Sequence, residues 1–444
     1  MRYIPHTADD RAAMLAAIGL SDTLSLFGDI PAAARLGRPL RVPGPLTEME
    51  LQATMRRDAA QNRSVEDLVC FLGGQFYDRF IPAAVGALAG RGEFATSYTP
   101  YQPELSQGTL AAIYEFQSMM AGLTGLAAAQ ASMYDGASAV AEAALLAMDT
   151  TQRLTVVMDR GVFPESRQVA ATYVTARGGR VVVPAPDQSL EELLASLAEP
   201  PAAVVVQQPD VLGRVRDLRP LAAWAHERGA LAMAAADPVA LALIEPPGRM
   251  GFDVVVGEGQ PLGNGLQYGG PTFGFFCVQD ALVRRLPGRV VGATQDGAHK
   301  RGYVLTLQAR EQHIRRERAT SNICSNHSLN ALQATIYLAL LGPEGLREVA
   351  RLSTAKAHYV VDRLTALPGF ARMAPDAPYL FEVALTVPGS VADLNRHLLD
   401  RGILGGWDMG RWDRAWAGGW QLAVTEQRTR AELDQLVEAV ASWR

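Results

Sequence analysis

Lysine is almost missing from this chain. Among 444 residues it occurs only at Lys300 and Lys356, and the rest of the 41 basic residues are arginine. Any chemistry that needs a lysine amine therefore has two positions to choose from. Genomic base composition accounts for the bias, since alanine is abundant as well. Cysteine is scarce too: Cys70, Cys277 and Cys324 are scattered, with no CxxC pair and no zinc-ligand spacing. That excludes a disulfide framework and suits a reducing cytoplasm. The seven histidines form no HExxH and no cluster. No apolar run approaches the roughly 20 residues of a membrane span. Met1 to Leu20 carries Asp9, Asp10 and Arg11 before any apolar stretch, so no signal peptide is expected. The formal net charge of −5 points to neither nucleic acid nor an anionic membrane.

What is present is a long globular pattern. Apolar residues make up 48% and charged residues 20%, ordinary for a soluble protein with more than one domain. Thr47 to Ala60 reads as an amphipathic helix with Thr47 and Glu50 as a capping box. Ser106 is a plausible N-cap, and Leu110, Ile113, Phe116, Met120 and Leu123 then share a helical face. From Arg153 onward strands and helices alternate. Leu154–Met158, Val181–Val183, Ala203–Val206, Leu231–Ala235, Asp253–Val256 and Thr272–Val278 read as buried strands. Glu165–Ala176, Leu190–Leu197, Leu218–Arg228 and Pro238–Ile244 read as helices. Such alternation implies a mostly parallel sheet covered on both faces, an α/β fold. Helices are expected at Gln308–Arg318, Asn326–Leu341 and Glu344–Leu364, punctuated by Gly342-Pro343. Strand-helix-strand-helix then follows over Tyr379–Leu385, Val391–Arg401, Trp420–Val424 and Arg430–Ser442. The expected division is 1–90, helical; 91–342, a large α/β domain; and 343–444, a small α+β domain.

Five segments carry candidate chemistry. Tyr134-Asp135-Gly136-Ala137-Ser138 opens a helix. It is either a phosphate seat on free backbone N–H groups or a capped helix with Ser138 in its first turn. Asp237, at a strand's carboxyl end, is either a partner for a ring nitrogen or the N-cap of Pro238–Ile244. Gly257 to Gly265, followed by Tyr268-Gly269-Gly270-Pro271, is glycine-dense after a core strand and lacks the lysine of a phosphate-binding loop. Arg310 to Arg318 holds His313 and Arg315. Arg315 and Arg318 are expected on one helix face, either solvated or docking an acidic partner. Tyr98, Thr99 and Tyr101 lie in a proline-stiffened loop that either lines a ligand pocket or merely packs.

Taken together, several ordered motifs resemble one family. They are Tyr3-Ile4-Pro5-His6-Thr7, Phe27-Gly28-Asp29-Ile30-Pro31, Thr96 to Glu104, Gly257-Glu258-Gly259-Gln260-Pro261-Leu262-Gly263, Arg310 to Glu317 with Ala319 to Cys324, and Val424 to Thr429. The chain is similar to the alpha, amino-terminal subunit of the P-protein (glycine decarboxylase) of the glycine cleavage system. The resemblance implies a fold-type-I, aspartate-aminotransferase-like subunit of the pyridoxal phosphate (PLP) enzymes. Such enzymes anchor PLP on a lysine after a core strand. Here that position is Gln260, whose amide cannot make the link. The resemblance thus implies a lapsed cofactor site at Gln260, Asp237 and Ser138, with PLP held by a beta subunit.

It further implies that residues 1–90 wrap that partner and that Tyr98, Thr99 and Tyr101 complete its active site. His313 and Arg315 would lie near the lipoyl channel or the surface that meets the lipoylated H-protein, and the assembly would be an alpha2beta2 heterotetramer in the cytoplasm. The pair would decarboxylate glycine, release carbon dioxide and pass the aminomethyl group to the lipoyl disulfide. Two rival readings stay open: a purely structural subunit, and a stand-alone PLP enzyme using Lys300, with Lys300 and Lys356 otherwise exposed surface residues. Phe163 stands where family members usually have histidine, and the tryptophan-rich Trp407–Trp420 stretch is locally divergent.

Overall fold

A computed structural model describes residues 5–267 and 269–443. Tyr3 and Ile4 of the opening motif and Tyr268 of the glycine-rich segment lie outside the described residues. The chain divides into two compact units, one ending at Asn62 and one starting at Arg63.

The first unit holds the helices Ala8–Ala17 and Glu48–Ala59. Both begin with a capping box, Thr7 with Asp10 and Thr47 with Glu50, as the second spacing predicts. None of its described residues is buried. Leu24, Leu40, Val42 and Met49 are all more than half exposed.

The second unit is built on a seven-stranded sheet. Its strands are β1 (Ala128–Ala129), β2 (Thr155–Met158), β3 (Arg180–Val182), β4 (Ala203–Gln208), β5 (Leu231–Ala236), β6 (Val254–Glu258) and β7 (Gly274–Val278). The spatial order is β1-β7-β6-β5-β4-β2-β3. Neighbours from β6 through β3 run parallel, and β7 is antiparallel to both β6 and β1. Every residue of β4, β6 and β7 is buried, because two apolar layers sandwich the sheet. Three helices bear on the site: α1 (Gln107–Thr124), α2 (Gly136–Thr151) and α3 (Ser328–Thr365). Within α3, Gly342 has φ +60° and breaks the helical path just before Pro343, joining the two helices expected there.

A four-stranded antiparallel sheet follows, in the order Ala371–Arg372, Glu382–Thr386, Gly419–Ala423, Trp407–Asp408, with helices Val391–Leu399 and Arg430–Ala441. Its neighbour is a short parallel pair, Val69–Cys70 with Ile403–Leu404.

Three expectations change. The helix over 308–318 is instead a string of short turns, with Leu307 and Arg316 at positive φ. Its one large apolar residue, Ile314, is 54% exposed, so no apolar stripe repays helix nucleation. Arg315 and Arg318 therefore do not share a helix face. Pro238–Ile244 shrinks to a 3-10 turn, Ala240–Ala242. A hairpin, Val290–Gln295 with Arg301–Thr306, appears where the periodicity suggested no strand. Lys300 sits exposed in its turn, whereas Lys356 is half-buried and donates to the carbonyl of Glu426.

Candidate functional site

In an open α/β sheet a ligand is expected at the carboxyl ends of the strands. Here that region is filled by the chain's own side chains. The Glu258 carboxylate ends β6 and accepts from the amide of Gly136 at 3.0 Å, of Gln260 at 2.9 Å and of Phe273 at 3.4 Å. Gly136 is the first residue of α2, so the N-terminal end of that helix is capped by a carboxyl group of the chain itself. A Cβ on Gly136 would meet the Glu258 backbone at 2.7 Å, which explains the glycine. Burial pushes the Glu258 carboxyl up to about 8, against the amides that favour its ionised form.

Gln260 is buried and its amide is fully used. Its Oε1 accepts from Tyr77 N at 2.9 Å, and its Nε2 donates to Tyr77 O at 3.1 Å and Asn264 O at 2.6 Å. The clasp holds Tyr77, whose hydroxyl donates to Glu382 at 2.9 Å. Burial raises Glu382 to about 7. Asp237 caps its own turn, accepting from Val239 N and Ala240 N at 2.8 Å each. The cavity bounded by Tyr77, Phe163, Asp237, Glu258, Phe381 and Glu382 has about 10 Å³ left. That is room for one water at most.

Ser138 is not brought to this cavity. It pairs with Asp135 in a capping box and opens onto a separate cavity beside Glu142 and Tyr173. The residues present therefore do not fit PLP at this strand end: no amine is available, the α2 N-terminus holds Glu258, and the ring space is occupied.

A second region is open. Tyr98 is 79% exposed and Tyr101 48%. Tyr98 and Thr99 line a polar hollow of about 280 Å³ with Arg289 and residues 325–330. Tyr101 packs edge-on against His313, with ring centroids 5.9 Å apart, and the Arg289 guanidinium lies 5.9 Å from the Tyr101 ring. The tyrosine loop and the His313 segment, separate in the sequence, are thus neighbours. The floor is braced by Tyr134, whose hydroxyl accepts from Cys324 N and Ser325 N at 3.2 and 3.4 Å. His327 Nδ1 meets the carbonyl of Thr272 at 2.6 Å.

Arg315 lies elsewhere, in an open cleft of about 600 Å³ with Arg177, Arg284, Arg285, Arg310 and Arg318. Burial lowers Arg310 to about 10. Arg315 and Arg318 thus share a cleft without sharing a helix.

Sequence reasoning missed Glu258, Tyr77, Glu382, Arg289 and His327 as site residues. Glu258 had a signal, a carboxylate ending an all-apolar strand. Tyr77 and Glu382 had none, since their meeting depends on the small sheet docking beside the large one.

Among the described residues no helix is long and apolar enough to cross a membrane, and no cluster of three metal-ligating side chains occurs. The family described as glycine cleavage system P-protein matches residues 1–440. The probable glycine dehydrogenase (decarboxylating) subunit 1 of Moorella thermoacetica is 48% identical over 443 residues, covering 99% of each chain. That of Desulforamulus reducens is 47% identical over 439 residues, covering 98% of each. A crystal structure of glycine decarboxylase (P-protein) of the glycine cleavage system, in inhibitor-bound form, superimposes with TM-score 0.89 at 43% identity over 99% of each chain. A sphingosine-1-phosphate lyase from Burkholderia pseudomallei, TM-score 0.66 at 16% identity, shares the fold alone. The α/β architecture expected from the strand-helix alternation is the fold-type-I architecture of PLP enzymes, and the chain belongs to the glycine cleavage system P-protein family.

Proposed function

We propose that this chain is the alpha subunit of a two-subunit glycine decarboxylase, and that it works by completing a site whose PLP is held by a beta subunit. The observation that carries the reading is the contrast between its two regions. Its own strand-end pocket is closed by Tyr77, Glu258 and Glu382, with Gln260 holding Tyr77 in place, whereas Tyr98, Thr99 and Tyr101 stand exposed beside a polar hollow. Closed core and open rim suit a subunit that lends side chains to a neighbour.

The reaction breaks the bond from the α-carbon of glycine to its carboxylate, releasing carbon dioxide. The aminomethyl carbon bonds to one sulfur of the lipoyl disulfide of the H-protein, and the other sulfur leaves as a thiol. The carbon is oxidised by two electrons and the disulfide is reduced by two. PLP, when bound by the partner, supplies the ring that accepts the electron pair left by decarboxylation. Tyr98 and Tyr101 supply hydroxyl donors and an apolar wall that excludes water around glycine or the lipoyl arm, with Thr99 adding a hydroxyl. His313 and Arg315 face the H-protein, and the arginine cleft suits an acidic surface. The exposed apolar residues of the first unit suit burial against the beta subunit in an alpha2beta2 assembly in the cytoplasm.

The test is the visible spectrum of the purified chain with PLP, before and after adding the beta subunit. No band alone, with a band and glycine decarboxylation only with the partner, supports the reading. A band from this chain alone, lost in Lys300→Ala, overturns it in favour of a stand-alone enzyme. Lys300 stands in an exposed hairpin turn, which argues against that rival.

A further inference from the structure

Arg289 is a buried cation without an anion. It is only 9% exposed, yet among the described residues no carboxylate lies within ion-pair distance of it. One terminal nitrogen donates to Asn326 Oδ1 at 3.1 Å and the other to the carbonyl of Cys324 at 2.8 Å. Its Nε has no partner in the structure. Neutral acceptors position a guanidinium but leave its charge uncompensated, and burying an unpaired charge is costly. The other buried arginines show the contrast: Arg79 is paired with Glu426 at 2.8 Å and Arg428 with Asp78 at 2.9 Å.

Arg289 lines the polar hollow under Tyr98 and Thr99, and one more donor feature borders it. The long helix α3 begins at Ser328, and its N-cap, His327, makes no side-chain cap, so first-turn amides of Ser328, Leu329 and Asn330 border the hollow uncapped. His327 is not a further donor: it commits its Nδ1 proton to the Thr272 carbonyl, which leaves Nε2 of the neutral ring as an acceptor. Thr272 also ties this floor to the closed pocket, because the next residue, Phe273, donates to Glu258.

We propose that the hollow between Arg289, Thr99 and the N-terminus of α3 is an oxyanion subsite, taking a carboxylate or a phosphate in the assembled enzyme. This rests on the reading that the Tyr98–Tyr101 face meets the partner's active site. Two sources share the chemistry, the carboxylate of the amino acid and the phosphate of the cofactor. A fork of guanidinium N–H groups with helix amides suits either.

The experiment uses Arg289→Met and Arg289→Lys in the assembled two-subunit enzyme. Three quantities are read: the dissociation constant for PLP added back to the cofactor-free complex, KM for glycine, and subunit association by sedimentation. The expected result is a rise of about tenfold or more in one of the first two for Arg289→Met, partly recovered in Arg289→Lys, with assembly intact. A rise confined to KM for glycine assigns the carboxylate. A rise in the PLP dissociation constant assigns the phosphate. If both constants are unchanged, the proposal is overturned. If only subunit association weakens, it is overturned in favour of an acidic side chain of the partner. Should Arg289→Met fail to fold, Arg289→Lys decides alone, since it keeps the charge and loses the fork. Tyr98→Phe is measured beside them. Lower turnover in Tyr98→Phe with silent Arg289 variants removes the subsite only. Silence in all three removes the shared-site reading itself.

Discussion

Glu258 accepts a hydrogen bond from Gly136, a residue 122 positions earlier in the chain, and so seats a carboxylate on the first amide of α2. A helix N-terminus is a ready seat for an external anion, and this one is satisfied from within the chain.

That buried carboxyl group sets a pH dependence. Glu258 is raised by burial from 4.5 to about 8, and Glu382 from 4.5 to about 7. Both bind their protons more tightly folded than unfolded. Their contribution is fully present below the unfolded value and is lost as pH rises through the folded one. The unfolding free energy should therefore fall between about pH 5 and pH 8, by at most about 1.4 kcal/mol per pH unit for each group, and the thermal midpoint should fall with it. Glu258→Gln should flatten the slope. A midpoint that climbs steadily over this range would show that both carboxyls are ionised in the native state.

Placing a lysine at position 260 should not create a cofactor site. In Gln260→Lys the Tyr77 clasp is lost and the adjoining space remains about 10 Å³. The variant should give no visible PLP band and should lose about 2–3 kcal/mol of stability through the unpaired Tyr77 backbone groups. Absorbance after incubation with PLP, together with urea unfolding, checks both halves.

Tyr98→Phe should lower turnover of the assembled enzyme by about tenfold, the effect of one lost hydrogen bond of about 1.4 kcal/mol. With Tyr98 79% exposed, the midpoint of the isolated chain should not move. Steady-state kinetics beside calorimetry separates the two.

Reversing charge in the arginine cleft should act on association. Arg315→Glu is expected to weaken H-protein affinity by about tenfold at low salt, with the difference shrinking as salt rises. Titration of H-protein at two ionic strengths reads this. Equal affinity for variant and wild type at low salt would clear the cleft of a docking role.

Removing residues 1–62 should leave the second unit folded, because the division of the chain falls after Asn62. Assembly with the beta subunit should fail, since Leu24, Leu40, Val42 and Met49 lose the chance to bury apolar surface. Sedimentation with and without partner measures it.

The sequence by itself determined the layered α/β plan, since apolar runs such as Val254–Val256 alternating with amphipathic stretches leave few ways to bury both faces of a sheet. It also determined the local cap of Thr47 with Glu50, because that signal lies within a few residues, while Asp237 has two local readings and only the structure places it on the amides of its own turn. Tertiary structure alone decided what fills the strand-end pocket and what stays open. Gln260 meets Tyr77, Tyr77 meets Glu382 and Tyr101 meets His313 only after distant segments pack together. The long helix expected through Arg315 shortens to a single turn, Gln312–Arg315, for the same reason: local propensity places charges at helical spacing, but only a surface to pack on extends such a turn. Period and propensity encode which residues are buried. Which buried charge lacks a counter-charge, as Arg289 does among the described residues, depends on the loops that surround it, and no local pattern records that.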